Sequence, residues 1–257
     1  MIPCYNEESS IPSIESEIRA VARDLSASGS VVEVVFVDDG STDGTWPALT
    51  GLADRLRADV FIRLERHDTN RNLGAALRTG FAACRGSIIV TTDSDSTYKF
   101  SEIPALVSRL TSDVSIVTAS PYHPSGGVAG VPPYRLVLSK GSSLIYRALV
   151  DPGIYTYTSL FRAYRAEVVR DVEFRSDGFL AVAEILVNAM FFGYRVAEYP
   201  TVLHARVAGT SKAKLLRTIL AHLRFHGRIV LRRLHLGGAP RALPSGEALR
   251  VAGGPRR

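Results

Sequence analysis

Apolar positions in the first 120 residues follow two alternating rhythms. Short β-branched runs fall at 31–37, 60–64, 87–92 and 114–119, the density expected of buried strands. Between them, 11–25, 45–56, 73–84 and 101–110 repeat apolar side chains every three or four residues, the period of one helix face. Strands separated by helices of this length predict βαβ units on a parallel sheet. Helix starts are signed as well. Ser41, Thr42 and Asp43 precede Trp46-Pro47, and Ser101-Glu102-Ile103-Pro104 repeats that grammar, a capping residue followed by an early proline.

The rest of the chain is less regular. Residues 120–134 (SPYHPSGGVAGVPPY) are punctuated by glycine and proline and predict a loop long enough to carry function. A helix is expected over 136–150 and a short aromatic strand or turn over 155–164, with Tyr155, Tyr157 and Tyr164 packing. An apolar helix over 179–192 carries Glu184 and Asn188 on one face, and two short strands flank Pro200 at 195–199 and 201–204. Residues 212–236 predict one long helix. Leu215, Leu216, Ile219, Leu220, Leu223, Val230 and Leu234 share a broad face, and Arg217, Arg224 and Arg228 share the opposite one. Such a helix either lies in a membrane interface or packs on the protein body. The expected division is a domain over 1–210, a basic amphipathic helix over 211–236 and a disordered tail over 237–257, rich in Gly, Pro and Ala.

Composition narrows the class. With 257 residues, 46% apolar and 22% charged, the chain is an ordinary globular protein and not a disordered, collagenous or disulfide-stapled one. Apolar runs such as VVFV at 34–37 fall far short of the roughly 20 residues that span a bilayer. The opening PCYNEE is polar, unlike a signal peptide, and Cys4 and Cys84 have no metal-ligand spacing, so a reducing cytoplasm is expected. Charge is segregated: residues 206–257 hold 12 Lys and Arg against Glu247, leaving 1–205 with 19 bases and 24 acids. A basic arm on an acidic body predicts contact with something anionic, or is simply a solvated tail.

Two acidic clusters end two of the predicted strands, Asp38-Asp39 after 31–37 and Asp93-Ser94-Asp95 after 87–92. In open α/β sheets ligands bind in the crevice outside those strand ends. Asp93 and Asp95 alternate with Ser94, so an extended chain would aim both carboxylates to one side, where they could share a hard cation such as Mg2+ or Mn2+. Other chemistries lack their signatures. The chain has no glycine-rich dinucleotide turn, no GxxxxGK[ST], no GxSxG and no HExxH. The basic tail lacks the interleaved aromatics of a single-strand nucleic-acid binder, and no nucleic-acid partner is expected.

The stretches IPCYNEE at 2–8, VDDGSTDGT at 37–45, NRNLGAALRTG from Asn70 to Gly80, and DSD at 93–95 resemble the inverting family-2 glycosyltransferases. FRAYR at 161–165, GF-x4-E from Gly178 to Glu184 and R-x2-G-x-SK from Arg206 to Lys212 extend the resemblance to the dolichol- and polyprenyl-phosphate mannosyltransferase branch. The resemblance implies an α/β fold of the GT-A type, Rossmann-like, with a mostly parallel central sheet flanked by helices and a C-terminal amphipathic helix. It implies metal-dependent transfer of a sugar, with inversion, from a GDP- or UDP-sugar to a polyprenyl phosphate at the cytoplasmic face of a membrane. By the same resemblance Pro3, Tyr5, Glu7, Val37, Asp39 and Ser94 hold the nucleotide, and Asp93 and Asp95 bind the diphosphate through Mg2+ or Mn2+. Arg206 and Lys212 contact the diphosphate, and Arg135 faces the acceptor phosphate; Asp95, Arg135 and Arg206 are the residues expected to drive catalysis.

The chain departs from the branch at three points. Only Met1 and Ile2 precede Pro3, Thr97 stands where the branch has glutamine, and Ser120-Pro121-Tyr122-His123 replaces a segment that often carries arginine. Several residues keep two readings. Asp38 either caps the turn at Ser41 or touches ligand, and Asn70, Arg71 and Asn72 either contact nucleotide or cap a helix. Were the acceptor a hydroxyl, a base would be required, and Glu184 and Asp177 are the candidates; Glu184 is otherwise a buried structural acid. A catalytically silent nucleotide-sugar-binding protein on a membrane is a further alternative.

Overall fold

The computed structural model describes residues 1–205 and 215–236. Its first half is the alternation the sequence predicts: β1 (Ile2–Cys4), α1 (Ile11–Ala27), β2 (Glu33–Asp38), α2 (Thr45–Leu56), β3 (Phe61–Arg66), α3 (Leu73–Ala83) and β4 (Ile88–Thr91). A 3-10 turn at Phe100–Glu102 leads into α4 (Ile103–Ser108) and β5 (Ile116–Ser120). Then come β6 (Gly127–Ala129), α5 (Pro133–Leu149), β7 (Arg162–Arg165), α6 (Ala166–Asp171), α7 (Leu180–Phe192), β8 (Val196–Pro200), β9 (Val202–His204) and α8 (Leu215–Leu236).

Three strands pair in parallel in the order β1-β2-β3, and four more in the order β4-β7-β5-β8, where β7 runs antiparallel to both neighbours and β8 parallel to β5. Two hydrogen bonds at Met1 join the halves. Its amino group donates to Val90 O at 2.7 Å and its carbonyl accepts from Thr92 N at 3.3 Å, the slanted pattern of a parallel ladder. Upstream of that join the edges of β2 and β4 diverge around an apolar cavity of about 460 Å³, lined in part by Ile18, Val21, Leu25, Val34 and Ile103. Burial lowers the pKa of the Met1 amino group, because an ammonium loses its hydration there.

Helices cover both faces. α1 and α2 bury Ile11, Ile14, Ile18, Leu49, Leu52 and Leu56 against Phe36 and Val34. α3, α5, α7 and α8 enclose the other core with Leu77, Tyr146, Leu186, Phe225 and Ile229. Glycine is required where α3 crosses its neighbours. A Cβ on Gly74 would stand 2.0 Å from Ser176 O, and one on Gly80 would stand 2.6 Å from Met1 Cγ.

Several expectations change. Val31 is 83% exposed and the second strand starts at Glu33. The loop over 120–134 contains β6, which pairs with β9. The 155–164 segment yields β7, whose Arg162 is fully buried. The Arg162 guanidinium donates to Thr118 Oγ1 at 3.0 Å, to Tyr157 O at 2.6 Å and to Val182 O, so a charged residue sits in a central strand with every branch bonded. α2 begins after Gly44 with no side-chain cap, although Asp43 Oδ1 accepts from Thr45 N at 3.0 Å. The leucine face of α8 does not pack inward. Phe225, His226 and Ile229 are buried, while Leu216, Leu220, Leu223 and Leu234 remain exposed. The expected boundary at 210 and the tail over 237–257 lie outside the described residues.

Candidate functional site

β1, β2 and β4 deliver their C-terminal ends to one crevice, at the point where the strand order changes direction, the usual ligand position in such sheets. Cys4 marks the convergence. Its buried thiol bonds Ser94 and feels the charges of Glu7, Asp38 and Asp93, and burial pushes its pKa up. It is therefore a neutral packing residue, and the acids of three strand ends surround it.

The loop after β1 is sewn to the loop after β2. Asn6, at φ 52°, donates its N–H to Ser41 Oγ at 2.9 Å and accepts from Thr42 N at 2.8 Å through its side-chain oxygen. Glu7 N donates to Thr45 Oγ1 at 2.8 Å, and the buried Glu7 carboxylate accepts from Ser10 Oγ at 2.9 Å. Glu8 accepts from Gly44 N at 3.0 Å. Pro3 pairs with Val37 in the ladder, and Tyr5 is half-buried beside them. Gly40 has φ 69° and lies against the Thr69–Asn70 backbone, where a Cβ would come within 2.3 Å, so only glycine fits.

Asp38 and Asp39 have different jobs. Asp38 is fully buried and accepts from Ser41 N at 3.0 Å, the turn-capping role, while its second oxygen lies 3.2 Å from Arg66 Nε. Arg66 in turn stacks 5.0 Å over Trp46. Asp39 is the hub of the crevice. Its Oδ1 accepts from His67 Nδ1 at 2.7 Å and Arg71 N at 2.9 Å, and its Oδ2 from Asn70 Nδ2 at 2.9 Å. A carboxylate can only accept, so His67 Nδ1 carries a proton, and its Nε2 lies 2.8 Å from the Thr79 hydroxyl oxygen. Burial raises the Asp39 pKa, opposed by His67 and the Arg71 N–H. Asn70 and Arg71 thus serve Asp39, and Asn72, at φ 70°, precedes α3 without a side-chain cap.

The Asp93–Asp95 loop is equally constrained. Asp95 is buried and accepts from Thr97 N at 3.1 Å. Ser96 takes φ 56°. Glu17 on α1 holds the segment by accepting from Phe100 N at 3.1 Å and Ser96 Oγ at 3.3 Å. Thr97 O accepts from His204 N at 3.0 Å, which ties β9 to the same loop. Among the described residues no group of three or more His, Cys, Asp or Glu side chains could hold a metal. Two carboxylates on one loop nevertheless fit Mg2+ or Mn2+, ions that keep waters and take their remaining ligands from substrate phosphates.

A cationic and aromatic wall stands beside α5. Glu198 accepts from Tyr155 N at 3.0 Å and Thr156 N at 2.9 Å. Tyr155 meets His123 edge-on with centroids 5.4 Å apart and lies 4.1 Å under the Arg147 guanidinium. Lys140 sits 5.4 Å from the Tyr122 ring. Tyr157 and Tyr164 are buried packing residues, as expected. Arg135 occupies the first turn of α5. Arg206 and Lys212 lie outside the described residues. Glu184 accepts from Arg175 N at 3.2 Å and Ser176 N at 2.8 Å, and Arg228 lies 3.8 Å away. Asp177 is exposed and paired with Arg78. Both acids anchor the loop before α7 to its neighbours, the structural reading of Glu184. The sequence reading missed His67, Glu17 and Glu198. Each is an isolated polar residue outside the motifs, and no spacing could have singled it out.

The sequence pattern described as Glycosyl transferase family 2 matches residues 1–173. The chain is 31% identical to the dolichol-phosphate mannosyltransferase of Pyrococcus furiosus over 232 residues, which are 90% of this chain and 62% of that protein. It thus spans less than two thirds of that relative's length. It is 32% identical to the polyprenol monophosphomannose synthase of Mycolicibacterium smegmatis over 220 residues, 82% of this chain and 79% of that one. In fold it is similar to glucosyl-3-phosphoglycerate synthase from Mycobacterium tuberculosis. The structure of that enzyme with Mn2+, uridine diphosphate and phosphoglyceric acid gives a TM-score of 0.63 at 21% identity, over 88% of this chain and 76% of that one. Its structure with Mg2+ and uridine diphosphate gives 0.63 at 20% identity, over 88% and 77%.

Proposed function

The chain belongs to glycosyl transferase family 2, and on that premise we propose that it transfers a sugar from a nucleoside-diphosphate donor to a polyprenyl phosphate. The observation that carries this reading is the convergence of both acidic strand ends on Cys4, whose carbonyl accepts from Asp39 N at 2.8 Å and whose thiol bonds Ser94 and feels the charges of Asp38 and Asp93. Pro3, Tyr5, Glu7, Val37, Asp39 and Ser94 would line the nucleoside end of the crevice. Asp93 and Asp95 would hold a divalent cation, whose chemistry is to neutralise the donor diphosphate and help it leave.

The remaining work falls to the chain. A crevice edged by Glu7, Asp38, Asp39, Asp93 and Asp95 repels a bare diphosphate, so binding should require the cation. Arg206 and Lys212 supply further positive charge for the departing group. A polyprenyl phosphate is largely a dianion at neutral pH, so it needs positioning more than deprotonation, and Arg135 is the residue that would grip it. Attack from the face opposite the diphosphate inverts the anomeric centre. The engagement of Glu184 and Asp177 in loop anchoring leaves a hydroxyl acceptor without an obvious base, which favours the phosphate. Peripheral contact with the cytoplasmic face of an anionic membrane completes the reading; among the described residues no helix is long and apolar enough to cross one.

The test is transfer from radiolabelled GDP-mannose, UDP-glucose or UDP-N-acetylglucosamine to a polyprenyl phosphate, with Mn2+ and with EDTA. Metal-dependent label in an acid-labile lipid product is expected. Label appearing only on hydroxyl acceptors, or none with any donor that demonstrably binds, would overturn it.

A further inference from the structure

We propose that Glu17, a residue of α1 outside every motif, is a positioning residue for the Asp93–Asp95 loop and sets the affinity of that loop for a divalent cation. The cation itself rests on the proposed function; the restraint on the loop does not.

The loop holds a conformation that its own sequence does not favour. Among the described residues three side chains other than glycine take positive φ: Asn6 at 52°, Asn72 at 70° and Ser96 at 56°. Asparagine enters that region more readily than other side chains, because its short amide bonds the local backbone. Serine has no such preference, so the turn at Ser96 carries a cost that its surroundings must offset. That turn reverses the chain immediately after Asp95. It brings Thr97 N to 3.1 Å from Asp95 Oδ1 and so fixes the direction of a carboxylate that is 3% exposed. An extended backbone at Ser96 would carry Thr97 N away and remove that restraint.

Glu17 holds the turn from outside. Its Oε1 accepts from Ser96 Oγ at 3.3 Å and its Oε2 from Phe100 N at 3.1 Å. One carboxylate therefore pins both ends of the 96–100 segment. Phe100 is 2% exposed and packs in the core beneath α1, so the second bond ties the loop to a fixed point. Ile14, Ile18 and Val21 bury the adjoining face of α1, and a packed helix presents Glu17 to the loop rigidly. Groups that orient a metal ligand from behind set metal affinity nearly as strongly as the ligands do. The same contacts would also suit a plain structural anchor. The two roles separate on the cation: an anchor changes stability alone, whereas a positioning residue changes cation binding by the folded protein. A glutamine of the same shape keeps an acceptor for Phe100 N and a donor for Ser96 Oγ, so positioning survives loss of the charge.

The test is Mn2+ binding by the full chain, followed by water-proton relaxation enhancement, with Mn2+ alone and with GDP or UDP added. Asp95→Asn identifies the signal of the site. Glu17→Ala should weaken Mn2+ binding by about tenfold or more, and Ser96→Ala, which removes only the hydroxyl, should weaken it in the same direction. Glu17→Gln should bind nearly as wild type does. Ser96→Asn placed in the Glu17→Ala chain should recover most of the loss, because asparagine tolerates positive φ unaided. In transfer assays the Mn2+ concentration for half-maximal rate should follow these affinities, with the KM for polyprenyl phosphate unmoved. Melting by circular dichroism certifies that each variant is folded at the titration temperature. If Glu17→Ala melts lower but binds Mn2+ like wild type, Glu17 is an anchor and the inference is overturned, with the proposed function untouched. If Glu17→Gln binds as weakly as Glu17→Ala, the charge acts by ligation or by its field, and positioning is overturned. Wild-type binding that Asp95→Asn leaves unchanged would remove the cation from the proposed function and this role of Glu17 with it.

Discussion

Replacing Asp39 by alanine tests whether this carboxylate acts by organising the crevice or only by touching the nucleotide. In the structure it accepts from His67 Nδ1, Asn70 Nδ2 and Arg71 N, and is 3% exposed. Alanine leaves the buried His67 Nδ1 donor facing a space that water enters poorly, whereas Asn70 Nδ2 keeps the residue-39 carbonyl at 3.3 Å and Asn70 and Arg71 are exposed residues. An orphaned buried donor costs about 1–3 kcal/mol, so the variant should lose about 2 kcal/mol. In a chain of this size that lowers the melting temperature by roughly 4–8 °C. Thermal unfolding by circular dichroism measures it, with calorimetric titration of nucleotide sugar alongside. His67→Ala is the companion: it keeps the carboxylate but frees the 67–72 loop, and should weaken donor binding about tenfold. If Asp39→Ala melts with wild type while donor binding disappears, the loop-organising argument is wrong and Asp39 is a ligand contact alone.

Two further outcomes follow from named contacts. Gly74→Ala forces a Cβ to within 2.0 Å of Ser176 O, an overpacking worth about 3 kcal/mol; chemical denaturation should show it, and a neutral result would mean that α3 and the 173–178 loop separate easily. Arg135→Ala should raise the KM for polyprenyl phosphate at least tenfold with donor affinity unchanged, and an equal loss of both would refute its assignment to the acceptor.

The first half of the fold is legible because strand and helix rhythms there agree with the positions of PCYNEE, DDGSTDGT and DSD. The second half hides its strands. β7 reads as FRAYR, and nothing in its pattern announces that Arg162 is bonded to Thr118, Tyr157 and Val182 in the middle of a sheet. β6 and β9 have three residues each, too few for a period. The leucine stripe of α8 was visible, but its direction was not. It depends on α5 offering Ser142 and Tyr146 to His222, a match between two helices that neither sequence shows alone. At the site, the acids were legible from their place after strands. The groups that hold them were not, because His67, Glu17 and Glu198 arrive from distant positions.

The join at Met1 has a mechanical side. The ladder between β1 and β4 is two hydrogen bonds long, and the cavity behind it keeps the two half-sheets apart. Asp39 belongs to one half, Asp93 and Asp95 to the other. A donor lying across them, as proposed, would clamp the seam from the opposite side and add its binding energy where few hydrogen bonds join the halves. The amides of Met1's partners should report this first. Thr92 N–H, which exchanges whenever the seam breathes, should gain protection on donor binding by the factor 1 + [L]/Kd if its exchange requires the seam to open. The enzyme would then be most rigid only while it holds the molecule it is about to cleave.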